Sequence, residues 1–339
     1  MGSLSKNEID HQFDSQNDRI SDAANVWLDQ DPGNDDAVAL YMCLFSKQID
    51  VVGYTITGGN TDFNWCLKNA KNLLAEWGFK DLPLYRGAEV PLSTWEFNAG
   101  EDQGFHGDQG LANSIQEHFR KNQLETKEEV GKTLVDMYHG IMALQQKVTY
   151  VITGPATTFA LLIKIFPEVI EKIERVVIMG SSLEIGNITE HAEFNAFCDP
   201  EALEIVANSQ VEKVIYGLEP LDYVSYGHDF IEKVRNHGAK QSWMVAEMLN
   251  QMLVSYKSLG FEDSPVVCYD AAVIPSLVKR NYAKIHPVNM KVLKDGEKRG
   301  KTVYEFVKKS RTNMYTAKWC DVEKWYEMMF ECLDNELDS

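Results

Sequence analysis

Asn25-Val-Trp-Leu-Asp-Gln-Asp-Pro-Gly-Asn-Asp-Asp-Ala-Val-Ala-Leu40 passes from an apolar run, Val26 to Leu28, through an acidic turn into a helical stretch that starts at Asp35. A turn of this composition is ordinary in itself. Asp, Asn, Gly and Pro all favour turns, and Asp35 or Asp36 would cap the helix. Four aspartates in one turn, at 29, 31, 35 and 36, exceed that requirement. Carboxylates held so close push one another's pKa values upward, a cost that a bound divalent cation would offset. A ligand set made only of oxygen points to calcium or magnesium, since zinc and copper would call for His or Cys nearby.

Outward from this turn the same beat repeats. Val51 to Thr57 precedes a helical stretch from Phe63 to Trp77, and Val148 to Thr153 precedes one from Ala156 to Lys172. Val176 to Met179, Glu201 to Asn208 and Val214 to Tyr216 continue it. Short Val- and Ile-rich runs separated by longer helices predict an α/β fold: a mostly parallel open sheet with helices on both faces. No internal repeat or low-complexity linker interrupts it, so one domain is expected over 25–335. Residues 1–24 are polar and poor in aromatics and read as a disordered arm. Residues 91–127 and 218–265 are expected to be long loops over the site. The Lys-rich stretch Lys291 to Lys309 alternates with acidic residues and reads as a solvated hairpin.

The chain has 339 residues, 44% of them apolar, enough for a large core. A net charge of −18 argues against nucleic acid and anionic lipid as partners. No apolar run is long enough for a membrane span, and the amino terminus lacks a signal-peptide pattern. The six scattered cysteines form no metal or disulfide framework and suit a reducing compartment, so a cytoplasmic protein is expected.

In a parallel sheet the ligand site lies beyond the carboxyl ends of the strands. The polar residues that follow successive strands therefore belong together. They are the aspartate run, Gly58-Gly59-Asn60, Thr153-Gly-Pro, Met179-Gly180 with Asn187 and Glu193-Phe-Asn195, and Tyr269-Asp270. Each alone is a turn or a helix cap. Their common edge is what makes them a site.

These residues, in this order, resemble the nucleoside hydrolases of the inosine-uridine-preferring superfamily. The D-x-D-P-G-x-D-D run carries most of the likeness, and Glu193-Phe-Asn195 followed by Asp199-Pro-Glu201 supports it over about residues 26 to 330. The resemblance implies an N-ribohydrolase that splits a ribonucleoside into ribose and free base, a step of purine salvage or nucleoside catabolism. It implies a tightly held Ca²⁺ on Asp31, Asp36, Asp270 and the carbonyl of Thr153. Asp35, Asn60 and Asn195 would grip the 2′- and 3′-hydroxyls of ribose, Asn187 and Glu193 the 5′-hydroxyl, and Met179 would pack beside the sugar. His106, in Phe105-His-Gly-Asp, matches a substrate-covering loop. Relatives commonly form homodimers or homotetramers.

The residue types suit that chemistry. Positive charge grows on the ribose ring as the N-glycosidic bond breaks, and crowded carboxylates stabilise it. Asp31 would take the proton of the attacking water. With no carboxylate placed to form a sugar adduct, inversion is expected by analogy with glycosidases.

Where broad-preference relatives carry His before the last metal-binding Asp, this chain has Tyr269, a weak acid with an ordinary pKa near ~10. An aromatic there can stack on the base, as in the purine-specific branch. The reading therefore leans toward inosine and guanosine, with Tyr269 as stacking partner or proton relay; the alternative is a broad or pyrimidine (uridine) preference, and His106 would be the acid of a broader enzyme. Trp95, Tyr223, Tyr226, Trp243, Tyr256 and Phe261 are possible walls of a base pocket, Tyr256 foremost.

Two rival classes fail on single positions. A haloacid-dehalogenase-type phosphatase wants Thr or Val where Gly33 stands. An EF-hand counted from Asp29 would need Gly and Glu where Asn34 and Leu40 stand. A non-catalytic ribonucleoside-binding protein of the same fold stays open.

Overall fold

Alternation along the first strand decides what each side of the sheet meets. Val26 and Leu28 point into one hydrophobic core and Trp27 into the other, and all three are buried. A strand buried on both faces reads as continuous apolar sequence, which is what parallel sheets require. The computed structural model describes residues 23–93, 105–124, 131–261 and 266–337. The expected arm at 1–24 lies outside these residues except for Ala23 and Ala24, the latter already the first residue of a strand.

The strands are β1 (Ala24–Gln30), β2 (Ile49–Ile56), β3 (Leu84–Arg86), β4 (Val148–Ile152), β5 (Ile173–Met179), β6 (Lys213–Tyr216), β7 (Ser225–Tyr226), β8 (Val266–Val267), β9 (Ala283–Val292), β10 (Thr302–Phe306) and β11 (Met314–Cys320). The helices are α1 (Asn34–Phe45), α2 (Phe63–Glu76), α3 (Asn113–Lys121), α4 (Leu134–Ala143), α5 (Thr157–Ile165), α6 (Phe194–Cys198), α7 (Pro200–Ala207), α8 (Leu218–Leu221), α9 (His228–Arg235), α10 (Ser242–Ser258), α11 (Tyr269–Val273) and α12 (Val322–Leu337).

Nine strands form one open sheet in the order β10-β9-β11-β6-β5-β4-β1-β2-β3. All neighbours from β11 to β3 pair parallel, while β9 is antiparallel to both β11 and β10. The solvated hairpin expected at 291–309 is the β9–β10 turn with its flanks. β1 sits between β2 and β4, so the crossovers leave it in opposite directions. That reversal opens a crevice at the carboxyl end of β1, directly over the acidic turn.

Two expectations are corrected. Residues 218–265 are not a loop. Within the described residues they form α8, α9 and the 17-residue α10, whose Val245, Met248, Leu249 and Met252 recur at helical spacing and are buried. The single helix expected over 156–172 breaks at Ile165, because Pro167 supplies no N–H and disfavours helix before it. A 3-10 turn, Pro167–Lys172, follows. The 91–127 stretch includes α3, while 94–104 and 125–130 lie outside the described residues. All six cysteines are free and buried, and among the described residues no helix is long and apolar enough to cross a membrane.

Candidate active site

The acidic turn is built by the way α1 begins. Asp36, in the first turn of α1, accepts a hydrogen bond from the N–H of Gly33 at 3.0 Å, capping the helix with negative charge at its positive end. The other oxygen of Asp36 accepts from the Thr153 hydroxyl at 2.6 Å, tying the start of α1 to the end of β4. Gln30 Nε2 donates to the carbonyl of Asp36 and to Thr153 Oγ1, locking the same corner from below.

Asp31 is held more tightly still. Its Oδ2 accepts the Asn60 N–H at 2.8 Å, and Asn60 Nδ2 bridges the Asp31 carbonyl and Asp36 Oδ2. Two glycines make room for it. A Cβ on Gly59 would lie 1.9 Å from Asp31 Oδ2, and one on Gly154 would lie 2.7 Å from Asp31 Oδ1. Here glycine serves close approach rather than backbone freedom. The Oδ1 atom is fully buried and has no hydrogen-bond partner.

Asp270, 234 residues beyond Asp36 and carried by α11, completes the group. Carboxylate oxygens of Asp35, Asp36 and Asp270 lie within 4.8 Å of one another, all buried. Burial, then mutual repulsion, drives the pKa values of Asp31 and Asp270 well above the usual carboxylate range. Asp35 and Asp36 are shifted the same way, again chiefly by burial. Burying several carboxylates face to face is unfavourable unless protons or a cation lie between them. The donor set is all oxygen, one oxygen is orphaned, and the corner is fixed by backbone and side-chain hydrogen bonds. These residues fit a hard divalent cation. In this geometry the tight carboxylate trio includes Asp35, which the resemblance assigned to ribose, while Asp31 couples to it electrostatically.

His106 packs against the start of α1. Its Nδ1 accepts the Asn34 N–H at 3.0 Å and stands 3.7 Å from Asp35 Oδ1. An acceptor Nδ1 places the ring proton on Nε2. His106 is buried and anchored, not a loose cover.

At the end of β5, Asn195 Nδ2 donates to the Thr153 carbonyl at 2.7 Å and to the Met179 carbonyl at 3.3 Å. Glu193 caps α6, accepting from the N–H groups of Asn195 and Ala196, and burial pushes its carboxyl to about 7. Met179, Glu193 and Asn195 are therefore gathered beside Thr153. Asn187 is not: it is exposed, and its Oδ1 accepts the Phe194 N–H, so its amide stabilises the loop before α6.

Tyr269 stands at the start of α11, next to Asp270. Its hydroxyl donates to Asp222 Oδ1 at 2.9 Å, and Tyr256 lies beside it. The Tyr256 ring packs near Phe105 and Phe261, with centroids at 5.6 and 6.2 Å. Tyr223 and Phe261 are exposed. Tyr226 is corrected to a core residue, its hydroxyl on the Leu249 carbonyl and its ring against Trp325. Trp243 packs edge-on to His118 on the outer side of α10. Trp95 lies outside the described residues.

Asp29 departs from the reading that all four aspartates share one charge cluster. It is buried below the turn, accepting from Thr57 Oγ1 at 2.5 Å and Tyr150 at 2.8 Å. Asp29, still within β1, has this alternative because Tyr150 lies on β4 and Thr57 directly follows β2, the two strands that flank β1. Sequence reasoning missed Asp222, which no local motif marks, and Gln30, whose position directly before Asp31 was the available signal.

Comparison with known proteins identifies the family. The sequence profile of the family described as "Inosine-uridine preferring nucleoside hydrolase" matches residues 26–327. Pyrimidine-specific ribonucleoside hydrolase RihA of Escherichia coli O81 (strain ED1a) is 34% identical over 261 residues, 76% of this chain and 80% of that protein. The protein of the same name from Citrobacter koseri is 35% identical over the same shares of both chains. Among solved structures, "Plant nucleoside hydrolase - PpNRh1 enzyme" superposes with a TM-score of 0.81 at 22% identity, covering 91% of this chain and 98% of that one. A purine-preferring ribonucleoside hydrolase from Gardnerella vaginalis gives 0.79 at 23%, covering 93% and 100%. At these identities the two structures attest the fold.

Proposed function

The chain belongs to the inosine-uridine-preferring nucleoside hydrolase family and is a nucleoside hydrolase, and on that premise we propose that it cleaves ribonucleosides with a bound Ca²⁺, favouring purine bases. The observation that carries this reading is the buried set Asp31, Asp35, Asp36 and Asp270, packed together with no lysine or arginine ion-paired to them among the described residues. Asp31, Asp36, Asp270 and the Thr153 carbonyl would hold the cation, with Asp35 at its edge. Calcium, when bound, supplies a Lewis acid that fixes the ribose diol and makes nearby water more acidic.

The chain's own residues account for the rest. Asp31, wedged between two glycines, accepts a proton from the attacking water, whose oxygen bonds to the anomeric carbon as the C–N bond breaks. The electron pair of that bond leaves on the base nitrogen, which then takes a proton. The surrounding carboxylates stabilise the positive charge on the ring during this passage. Asp35, Asn60 and Asn195 surround the position of the diol, and Glu193 and Met179 bound the rest of the sugar. The tie between the Tyr269 hydroxyl and Asp222 supports a stacking role for the ring over direct proton donation.

A second reading, pyrimidine preference, is favoured by the relatives at 34–35% identity that bear the name pyrimidine-specific. Initial rates of base release from inosine, guanosine, adenosine, uridine and cytidine decide between them. Inosine ahead of uridine supports the purine reading, and a wide uridine lead overturns it. Failure to release reducing sugar from any of the five would leave a ribonucleoside-binding protein.

A further inference from the structure

Behind the sheet's active edge, a cavity of about 80 Å³ lies between β5, β6 and the 3-10 turn Ile274–Leu277 that continues α11. Its walls carry Arg175, Lys279 and Arg280 and no acidic residue, in a chain whose net charge is −18. Arg175 and Val177 share one side of β5, and Val214 and Tyr216 the matching side of β6. Lys279 is committed to Glu331 at 2.6 Å. Arg175 has no carboxylate partner among the described residues. Its Nη2 reaches only the Leu277 carbonyl at 3.4 Å, and its Nε is fully buried without a hydrogen bond. The Ser276 hydroxyl, also buried, makes no hydrogen bond of ordinary geometry, and its near neighbour is the Tyr216 hydroxyl on the same cavity wall.

A guanidinium is always charged, and its donors are matched in shape to an oxyanion. A guanidinium whose Nε–H is buried without a partner, beside two hydroxyls that can donate, lacks an acceptor. We propose that this cavity is a binding site for one small oxyanion, phosphate or carboxylate, held by Arg175 and Ser276 with Arg280 at the rim. The volume sets the size limit, since one water needs about 10–15 Å³ of such space, so the cavity holds a small ion with a few waters and a nucleotide is far too large. The ligand would rest on the same segment that carries Tyr269 and Asp270 at its other end.

Calorimetric titration of the full chain with inorganic phosphate, sulfate and acetate at constant ionic strength tests this independently of hydrolysis. Saturable binding is expected for phosphate and sulfate or for acetate, which identifies the oxyanion. Arg175→Gln should weaken it by about tenfold or more, given the strength of charged hydrogen bonds. The exposed Lys164→Ala, on the other side of the sheet, should leave it unchanged. Should Arg175→Gln fail to fold, Ser276→Ala carries the test and should weaken binding several-fold. No saturable binding by the parent chain, or equal affinity in the folded variants, overturns the site and leaves Arg175 as a cap on Leu277 in a water-filled space.

Discussion

Gly59→Ala reaches the proposed catalytic base by adding a single methyl group, with no polar group of the chain removed. The added methyl carbon would stand 1.9 Å from Asp31 Oδ2 and 2.9 Å from Pro155 Cδ, so it is blocked on the side away from the carboxylate. Ordinary contact begins near 3.5 Å, so Asp31 must retreat by about 1.5 Å. Gly154 closes the other side of the carboxylate, leaving rotation away from the Asn60 N–H as the escape. A displacement of about 1 Å at a reacting group costs about 100-fold, so kcat/KM should fall by at least that factor, about 2.7 kcal/mol. Overpacking should cost the fold about 1–3 kcal/mol, too little to abolish folding of a domain this size. The assay is base release from inosine and uridine alongside thermal unfolding. Gly131→Ala, where a Cβ meets nothing within 4 Å, is the control. A folded Gly59→Ala protein within about threefold of the parent rate would refute the positioning argument.

Tyr269→Phe deletes the hydroxyl tied to Asp222 but keeps the ring, so inosine hydrolysis should stay within about tenfold of the parent, while Tyr269→Leu should lose more. Equal losses in steady-state rates would instead favour proton donation. Glu193 binds its proton to about pH 7 in the folded chain, well above its unfolded value of about 4.3. Its contribution to stability is thus fully present below pH 4 and lost as pH rises through 7, an order-of-magnitude change of about 3 kcal/mol. Urea titrations of the parent against Glu193→Gln across pH 4–8 should diverge in that direction, and parallel curves would contradict it. Asp270→Asn removes one of the facing carboxylates, so in chelator it should raise unfolding free energy at pH 7 by at least about 1 kcal/mol while abolishing activity. Unchanged or lower stability would show that the group is not electrostatically crowded.

What the sequence made legible follows the range of each signal. The strand, acidic turn and helix at Val26–Leu40 are local, and β1, the turn and α1 fall where the apolar periodicity and capping residues put them. The gathering of Asn60, Thr153 and Asn195 followed from parallel topology, which carries the exits of neighbouring strands to one edge, whereas Asp270 follows β8, which pairs antiparallel with β7 in a separate two-stranded sheet, and reaches the site on α11. Side-chain direction was not legible. Asp29 turned to Thr57 and Tyr150, and Asn187 to the Phe194 N–H, because each found a partner that only tertiary packing supplies. The 218–265 region looked like a loop because Gly, Asp and His punctuate its start, although the apolar spacing within α10 was already a helical one. Asp222 was invisible, since its partner is 47 positions away.

The most direct test of the central claim is the rate of base release from inosine and uridine by protein stripped of divalent metal and then titrated with Ca²⁺. Activity should vanish on stripping and return saturably as about one equivalent is taken up by the buried carboxylates. Full-rate hydrolysis by protein shown by elemental analysis to carry no divalent metal would contradict the account.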